Sequence, residues 1–112
     1  MIEPVDDENF EKVVLNSDKP VLVEFHASWC SPCKALALIL EQLEQDYNSG
    51  LKVARIESDE NPGTVACYRV KAYPTLLLLR NGKILDRFIG FSDRSELEHF
   101  LKKNNIRKND AR

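Results

Sequence analysis

The chain has 112 residues, with sixteen Lys and Arg against eighteen Asp and Glu and a net charge of −2 at pH 7. This length suits a single domain over residues 1–112 with one buried core. The balanced charge provides no basic surface for nucleic acid or for an anionic membrane. Three cysteines are too few for the disulfide framework of a small secreted domain. We therefore expect proteins or small molecules as partners.

The N-terminal segment MIEPVDDENF has neither the basic patch nor the apolar run of a signal peptide. No apolar stretch of the sequence is long enough to cross a bilayer. We therefore expect a cytoplasmic protein, in which disulfides are normally transient. In that setting the cysteines serve chemistry rather than architecture.

The first half of the chain shows the periodicity of a helix followed by a strand, a helix and a strand. The first helix is predicted over about 7–16. The largely apolar run 21–27 predicts a strand that is buried on both faces. A helix over about 31–48 and a strand over 51–56 follow. This order predicts a parallel crossover unit.

The second half begins with a short helix for which Asn61 is the predicted cap and Pro62 the first-turn residue. Two apolar runs, Thr75–Arg80 and Lys83–Ile89, flank the dipeptide Asn81-Gly82. This dipeptide is typical of a two-residue hairpin turn, so the two strands are predicted to be antiparallel neighbours.

A last helix is predicted to open at Asp93, with Glu96 completing a capping box. Residues from about 104 to 112 show no apolar periodicity and are expected to form a frayed tail. The predicted fold class is α/β, with a central mixed β-sheet flanked by helices on both faces.

Cys30 and Cys33 stand where the predicted buried strand gives way to the long helix. On a first helical turn, residues three apart have Cβ atoms about 5 to 6 Å apart, which permits a disulfide after small adjustments. As a staple, a four-residue loop contributes only about 2 kcal/mol, against about 3 for fifteen residues. Redox exchange explains the spacing better. Cys30 would lie at the helix N-terminus, where free N–H groups and the dipole favour a thiolate.

The two cysteines are therefore assigned different roles. Cys30 is the expected attacking sulfur, and Cys33, one turn inside the helix, is the expected resolving thiol. Pro32 removes an N–H donor that the first turn could not use and stiffens that turn.

Glu24 lies in the middle of the apolar run 21–27. Burial raises the pKa of a carboxyl, so Glu24 could exchange a proton with Cys33 near neutrality, through water. Alternatively, Glu24 pairs with Arg55 across the sheet and transfers no proton. Both interpretations stay open at this point.

A Cys-x-x-Cys pair is also half of a zinc site. The remaining candidate ligands are Cys67, His26 and His99, which are scattered along the sequence without a second pair. We therefore expect no metal. Cys67 is either an ordinary small residue or a thiol open to modification.

The chain resembles the thioredoxin family in five segments, which occur in the order VLVEFHA, WCSPCK, DENPGT, AYPTLLLLRNG and FIGFS. The resemblance covers nearly the whole chain. It implies the thioredoxin fold and the activity of a thiol–disulfide oxidoreductase that reduces protein disulfides. By this resemblance Cys30 is the nucleophile, Cys33 the resolving thiol, and Pro74 the residue after a cis peptide bond beside the disulfide. The resemblance also implies an active-site loop with Ser31 and Pro32 and a substrate groove lined by Trp29, Ala72, Tyr73, Gly90 and Phe91.

The resemblance further implies that disulfide-containing proteins are the substrates and that a thioredoxin-reductase-type protein is the electron donor. The sequence has no glycine-rich nucleotide motif, so that donor must hold the nucleotide cofactor. The expected protein is a monomer that binds no cofactor beyond its redox-active disulfide, with roles in electron transport and cell redox homeostasis. Two alternatives remain: a disulfide oxidase or isomerase, and a non-enzymatic binding module.

Four positions depart from the commonest pattern of the family. Ser31 stands where glycine is usual, and His26 where an aromatic residue is usual. Glu24 replaces a buried aspartate, and Arg55 replaces a lysine. These differences bear on the redox potential and on the choice of partner, and not on the fold.

Overall fold

A five-stranded mixed sheet forms the centre of the computed structural model, which describes residues 2–109. Its strands are β1 (Glu3–Val5), β2 (Val21–His26), β3 (Lys52–Glu57), β4 (Thr75–Arg80) and β5 (Lys83–Ile89). Their order across the sheet is β1-β3-β2-β4-β5, which places β2 in the middle. Strand β3 runs parallel to both β1 and β2, whereas β4 runs antiparallel to β2 and β5. The predicted mixed sheet is thus confirmed.

The helices connect these strands in the predicted order. They are a π-helical segment (Glu11–Leu15), α1 (Ser31–Tyr47), a 3₁₀ turn (Ser58–Glu60), α2 (Pro62–Cys67) and α3 (Arg94–Lys103). Helix α1 links the parallel strands β2 and β3, as the crossover prediction required. The hairpin between β4 and β5 turns at Asn81 and Gly82, which both have positive φ angles, 53° and 77°. These are the backbone angles of the predicted two-residue turn.

Successive side chains of the sheet point to opposite faces and so build two buried cores. On one face, Leu22 of β2 packs with apolar residues of α1 and α3. On the other face, Val23 packs with Phe10 and Val14 of the N-terminal helical segment. The sheet therefore has helices on both faces, and β2 is enclosed between the two layers.

The first helix is shorter than predicted, since residues 7–9 form a turn in which the Phe10 N–H donates to the Asp6 carbonyl at 3.0 Å. The carboxylate of Asp6 accepts hydrogen bonds from the backbone N–H groups of Glu8 (3.0 Å) and Asn9 (2.8 Å). These bonds satisfy N–H groups ahead of the helical segment, as a cap residue does. The helical segment then covers only Glu11–Leu15.

The side chain of Asp7 supplies the cap hydrogen bonds at the start of α2. Its carboxylate accepts hydrogen bonds from the N–H groups of Gly63 (3.0 Å) and Thr64 (2.9 Å) and from the Thr64 hydroxyl (2.6 Å). The side chain of Asn61 makes no cap bond and instead accepts the N–H of Asp7 at 2.8 Å. Asn61 thus holds the predicted cap position ahead of Pro62, but its amide joins two segments of the chain and Asp7 supplies the cap hydrogen bonds.

The C-terminal segment packs against the domain. Ile106 is only 4% exposed and lies in the core between the sheet and α1. Asn109 binds the end of α1: its backbone N–H donates to the Asp46 carbonyl at 2.8 Å, and its side-chain amide donates to the Gln45 carbonyl at 3.0 Å. The expected fraying is therefore wrong for residues 104–109. Residues 110–112 lie outside the described residues.

We expect Ile106→Ala to destabilise the protein by about 2 to 4 kcal/mol, because it leaves a cavity in a closed core. Arg107→Ala is the matched control, since Arg107 is exposed in the same segment. Urea unfolding of the two variants measures the difference. Equal unfolding midpoints would show that this segment contributes nothing to the folded state.

Candidate active site

The two predicted cysteines form a disulfide at the start of α1. Cys30 is the cap residue, with an extended backbone, and Cys33 lies in the first turn. Their Cα atoms are 5.3 Å apart. Cys30 is 4% exposed and Cys33 1% exposed, so both sulfurs lie at or below the surface. Cys30 is the more exposed of the two residues, as the sequence indicated.

The sulfur of Cys30 is held at the N-terminus of α1. Its Sγ atom accepts the backbone N–H of Cys33 at 3.2 Å. The backbone N–H of Cys30 donates to the Ala27 carbonyl at 3.1 Å, which ties the loop to the end of β2. Pro32 occupies the first turn, where its missing N–H is tolerated. A thiolate at Cys30 would thus receive a hydrogen bond and the positive end of the helix dipole.

Trp29 lies on the surface beside the disulfide. Its side chain is 67% exposed, so Trp29 is not part of the core. The indole ring meets the Tyr73 ring edge to face, with centroids 5.8 Å apart. The indole N–H donates to the Asp59 carboxylate at 3.2 Å. Tyr73 in turn packs against the apolar cluster that contains both cysteines.

The remaining groove residues come from two segments of the chain. The Tyr73–Pro74 peptide bond is cis, as the resemblance implied. The N–H of Gly90 donates to the Pro74 carbonyl at 2.8 Å and joins the two segments. Gly90 has a φ of 98°, a conformation that favours glycine. Phe91 follows it and is 50% exposed.

The other residues assigned to this region are exposed. Ala72 precedes Tyr73, and Ser31 lies with Pro32 in the first turn of α1, next to the disulfide. The carbonyl of Ala72 accepts the Thr75 hydroxyl at 2.6 Å, which fixes the turn into β4. These three side chains can therefore meet a partner without any change of fold.

Glu24 is fully buried in the centre of β2. Arg55, its direct neighbour on β3, donates from Nε to Glu24 Oε1 at 2.6 Å. The second oxygen, Oε2, accepts no hydrogen bond from the described residues. Burial raises the pKa of Glu24, and the charge and hydrogen bond of Arg55 oppose that rise without cancelling it. The pairing with Arg55 is thus present, and it leaves a carboxyl that binds its proton more tightly than an exposed one.

The pH dependence of stability tests this account of Glu24. The folded state holds the proton of Glu24 more tightly than the unfolded chain, for which the reference pKa is 4.5. This stabilisation is complete below pH 4.5 and is lost as the pH rises through the raised pKa of the folded state. Its slope is at most about 1.4 kcal/mol per pH unit.

Glu24→Gln cannot ionise, so we expect the wild type to lose stability relative to this variant as the pH rises from about 5 to about 8. Urea unfolding of the oxidised proteins across this range measures the difference. A difference that is independent of pH would mean that Glu24 is ionised in the folded state throughout.

A cavity of about 520 Å³ lies next to Arg55, and its lining includes His26, Glu57 and Glu60. Burial lowers the pKa of His26, and the charge of Arg55 lowers it further, while Glu57 opposes both. His26 is the last residue of β2 and is partly buried, which is the cause of this lowered pKa. His99 and Cys67 are both exposed and lie on different helices.

Residues 2–109 contain neither a cluster of metal ligands nor a membrane-spanning helix. No group of three or more His, Cys, Asp and Glu in this part of the chain could hold a metal ion. No helix in the same range is long and apolar enough to cross a membrane.

The chain is similar in sequence to known thioredoxins. The family model for thioredoxin matches residues 1–103. The chain is 45% identical over 97 residues to the thioredoxin of Acidithiobacillus ferridurans, which covers 87% of this chain and 90% of that protein. It is 43% identical over 98 residues to the thioredoxin of Buchnera aphidicola subsp. Acyrthosiphon pisum, covering 88% and 91%. With the mitochondrial thioredoxin of Mus musculus it shares 40% identity over 98 residues, covering 88% of this chain and 59% of that protein.

Proposed function

This chain belongs to the thioredoxin family and is a thioredoxin-type protein-disulfide reductase, and from that premise we propose how its own residues carry the reaction. Cys30 attacks the substrate, Cys33 resolves the intermediate, and a separate reductase recharges the pair. The supporting observation is the Cys30–Cys33 disulfide at the first turn of α1, with the Cys30 sulfur already accepting a helix N–H.

The first step joins protein and substrate covalently. The Cys30 thiolate attacks one sulfur of the substrate disulfide, forms a mixed disulfide with it, and releases the other substrate sulfur as a thiolate. The helix N-terminus supports the negative charge on Cys30 before the attack. The released thiolate then takes a proton from solvent.

The second step frees the substrate. The deprotonated Cys33 attacks the Cys30 sulfur of the mixed disulfide, which forms the intramolecular disulfide and releases the second substrate thiolate. Two electrons have then passed from the protein dithiol to the substrate disulfide. Glu24 is the proposed acceptor of the Cys33 proton, through water, and its buried carboxyl, with one oxygen that accepts no hydrogen bond from residues 2–109, supports this role. With Glu24→Gln we expect slower release of the second substrate thiol at neutral pH, and an unchanged rate removes Glu24 from the mechanism.

The proposed docking surface for protein substrates surrounds the disulfide. Its members are Trp29, Ala72, Tyr73, Gly90 and Phe91, with Ser31 and Pro32 at its edge. The exposed rings of Trp29 and Phe91 provide apolar area for an extended substrate segment. The proposed setting is the cytoplasm, because recharging needs a reducing compartment. The protein is proposed to act there as a monomer.

Turnover of insulin disulfides tests the proposal. With NADPH and a thioredoxin reductase as the electron source, we expect catalytic amounts of this protein to drive insulin reduction. Turnover no faster than in its absence would favour the binding-module alternative. Equilibration with glutathione then separates a reductase from an oxidase or isomerase, because each 30 mV is about 1.4 kcal/mol for this two-electron couple.

A further inference from the structure

Glu57 joins two segments of the chain through its carboxylate. It is the last residue of β3, directly opposite His26 of β2. One oxygen, Oε1, accepts the backbone N–H of Ser28 at 2.9 Å. The other oxygen, Oε2, accepts the backbone N–H groups of Asp59 at 2.7 Å and Glu60 at 3.3 Å. A single side chain thus links the loop after β2 to the 3₁₀ turn after β3.

Both linked segments support Trp29. Ser28 directly precedes Trp29 in the chain, and Asp59 accepts the indole N–H at 3.2 Å. Because Trp29 is 67% exposed, burial does little to fix its orientation. The ring is fixed by its edge-to-face contact with Tyr73 and by the Asp59 hydrogen bond. The indole is oriented by the hydrogen bond between Trp29 and Asp59. Glu57 therefore binds the backbone next to Trp29, at Ser28, and the backbone of Asp59 itself.

The supports of the reactive sulfur are separate from this arrangement. The Cys30 sulfur accepts the N–H of Cys33, and the Cys30 backbone binds the Ala27 carbonyl. Neither contact involves Glu57. A change at Glu57 can consequently alter the surface beside the disulfide while the sulfur keeps its own hydrogen bond.

We propose that Glu57 is a positioning residue that orients Trp29 for docking of protein disulfides and leaves the thiol chemistry of Cys30 unchanged. This inference rests on the proposed function, in which Trp29 forms part of the substrate surface. The carboxylate suits the role because both of its oxygens accept hydrogen bonds. A glutamine keeps one acceptor and turns an NH₂ donor toward the backbone donors of the other segment, so it breaks one of the two links.

The test compares Glu57→Gln with Glu60→Gln, which removes an equal charge from an exposed side chain three residues away. We expect Glu57→Gln to raise the KM for insulin about tenfold with little change in kcat, as the loss of a hydrogen bond to a charged group implies. The rate with a small disulfide such as oxidised glutathione should stay within about twofold of the wild type. Glu60→Gln should match the wild type in both assays.

The fluorescence of Trp29 reports on the effect of Glu57→Gln independently of activity. Trp29 is the only tryptophan of the chain, so intrinsic fluorescence reports on its ring alone. We expect Glu57→Gln to change the Trp29 emission and Glu60→Gln to leave it unchanged. Asp59→Ala, which removes the indole acceptor itself, should raise the KM for insulin in the same direction and serves if Glu57→Gln folds poorly.

Two results would overturn the assignment. One is a parallel fall in the rates with insulin and with oxidised glutathione, which would place the effect of Glu57 on the sulfur or on the whole fold. The other is unchanged kinetics and fluorescence in Glu57→Gln. Either result leaves the wild type active, whereas failure of the proposed function would show as a wild type that does not reduce insulin.

Discussion

Cys30→Ser is expected to abolish insulin reduction, with a loss of at least about a thousandfold in turnover, because a serine hydroxyl forms no disulfide. The position of Cys30 makes this loss complete. Its sulfur is the outer of the two at the start of α1 and the one that accepts the Cys33 N–H. Cys33 is the less exposed of the two, at 1% against 4% for Cys30. The assay follows insulin reduction with the reductase and NADPH in excess.

The matched control for that experiment is Cys67→Ser. Cys67 is the exposed, unpaired cysteine of α2 and takes no part in the proposed reaction. This variant should keep the activity of the wild type. If residual turnover in Cys30→Ser disappears only when Cys67 is also replaced, Cys67 contributes to the reaction and the assignment to Cys30 is contradicted.

Cys33→Ser is expected to stop the reaction after its first step. Cys30 can still attack, but no second sulfur remains in the first turn of α1 to resolve the mixed disulfide. The variant should therefore accumulate a covalent complex with a protein disulfide substrate, while multiple turnover falls at least about a hundredfold. Mass spectrometry under non-reducing conditions detects the complex and identifies its cysteine.

The order of the two roles can be checked with the same variants. Cys30→Ser should form no such complex, since Cys33 is the less exposed sulfur and lacks the helix N–H that Cys30 accepts. A substrate adduct on Cys33 in the Cys30→Ser variant, at a rate similar to that of Cys33→Ser, would reverse the assignment of nucleophile and resolving thiol.

The sequence predicts the elements whose side chains repeat regularly. Helix α1 shows its buried face through Leu36, Leu40 and Leu43 at helical spacing, and the structure buries all three. The β4–β5 hairpin follows from Asn81 and Gly82, whose preference for positive φ is a local property. Periodicity and turn chemistry are carried by neighbouring residues, so they can be identified without the fold.

Elements that depend on distant partners were not predicted. Strand β1 has three residues and includes Pro4, so it shows no alternation, and it exists because β3 offers a parallel edge. Asp7 caps α2 from more than fifty positions away, and Asn109 binds the end of α1 across a similar distance. No local pattern carries such information, because each bond forms only once the sheet has brought the two segments together.

The candidate site also contains features that the sequence predicted and features that it did not. The spacing of Cys30 and Cys33 and the buried position of Glu24 were accessible from the sequence, and so was the possible pair with Arg55. The hydrogen bond between Trp29 and Asp59 was not. Nor was the link through Glu57, whose only sequence signal is an acidic residue directly after a predicted strand.

Alkylation kinetics of the reduced protein test most directly whether the start of α1 activates Cys30. Iodoacetamide reacts with thiolates, and Cys67 is an exposed thiol in the same chain that serves as the internal reference. We expect Cys30 to be modified at neutral pH at least about tenfold faster than Cys67, as mapped by mass spectrometry of peptides. Modification of Cys30 at the same rate as Cys67, or more slowly, would contradict the claim that the helix N-terminus makes this sulfur the nucleophile.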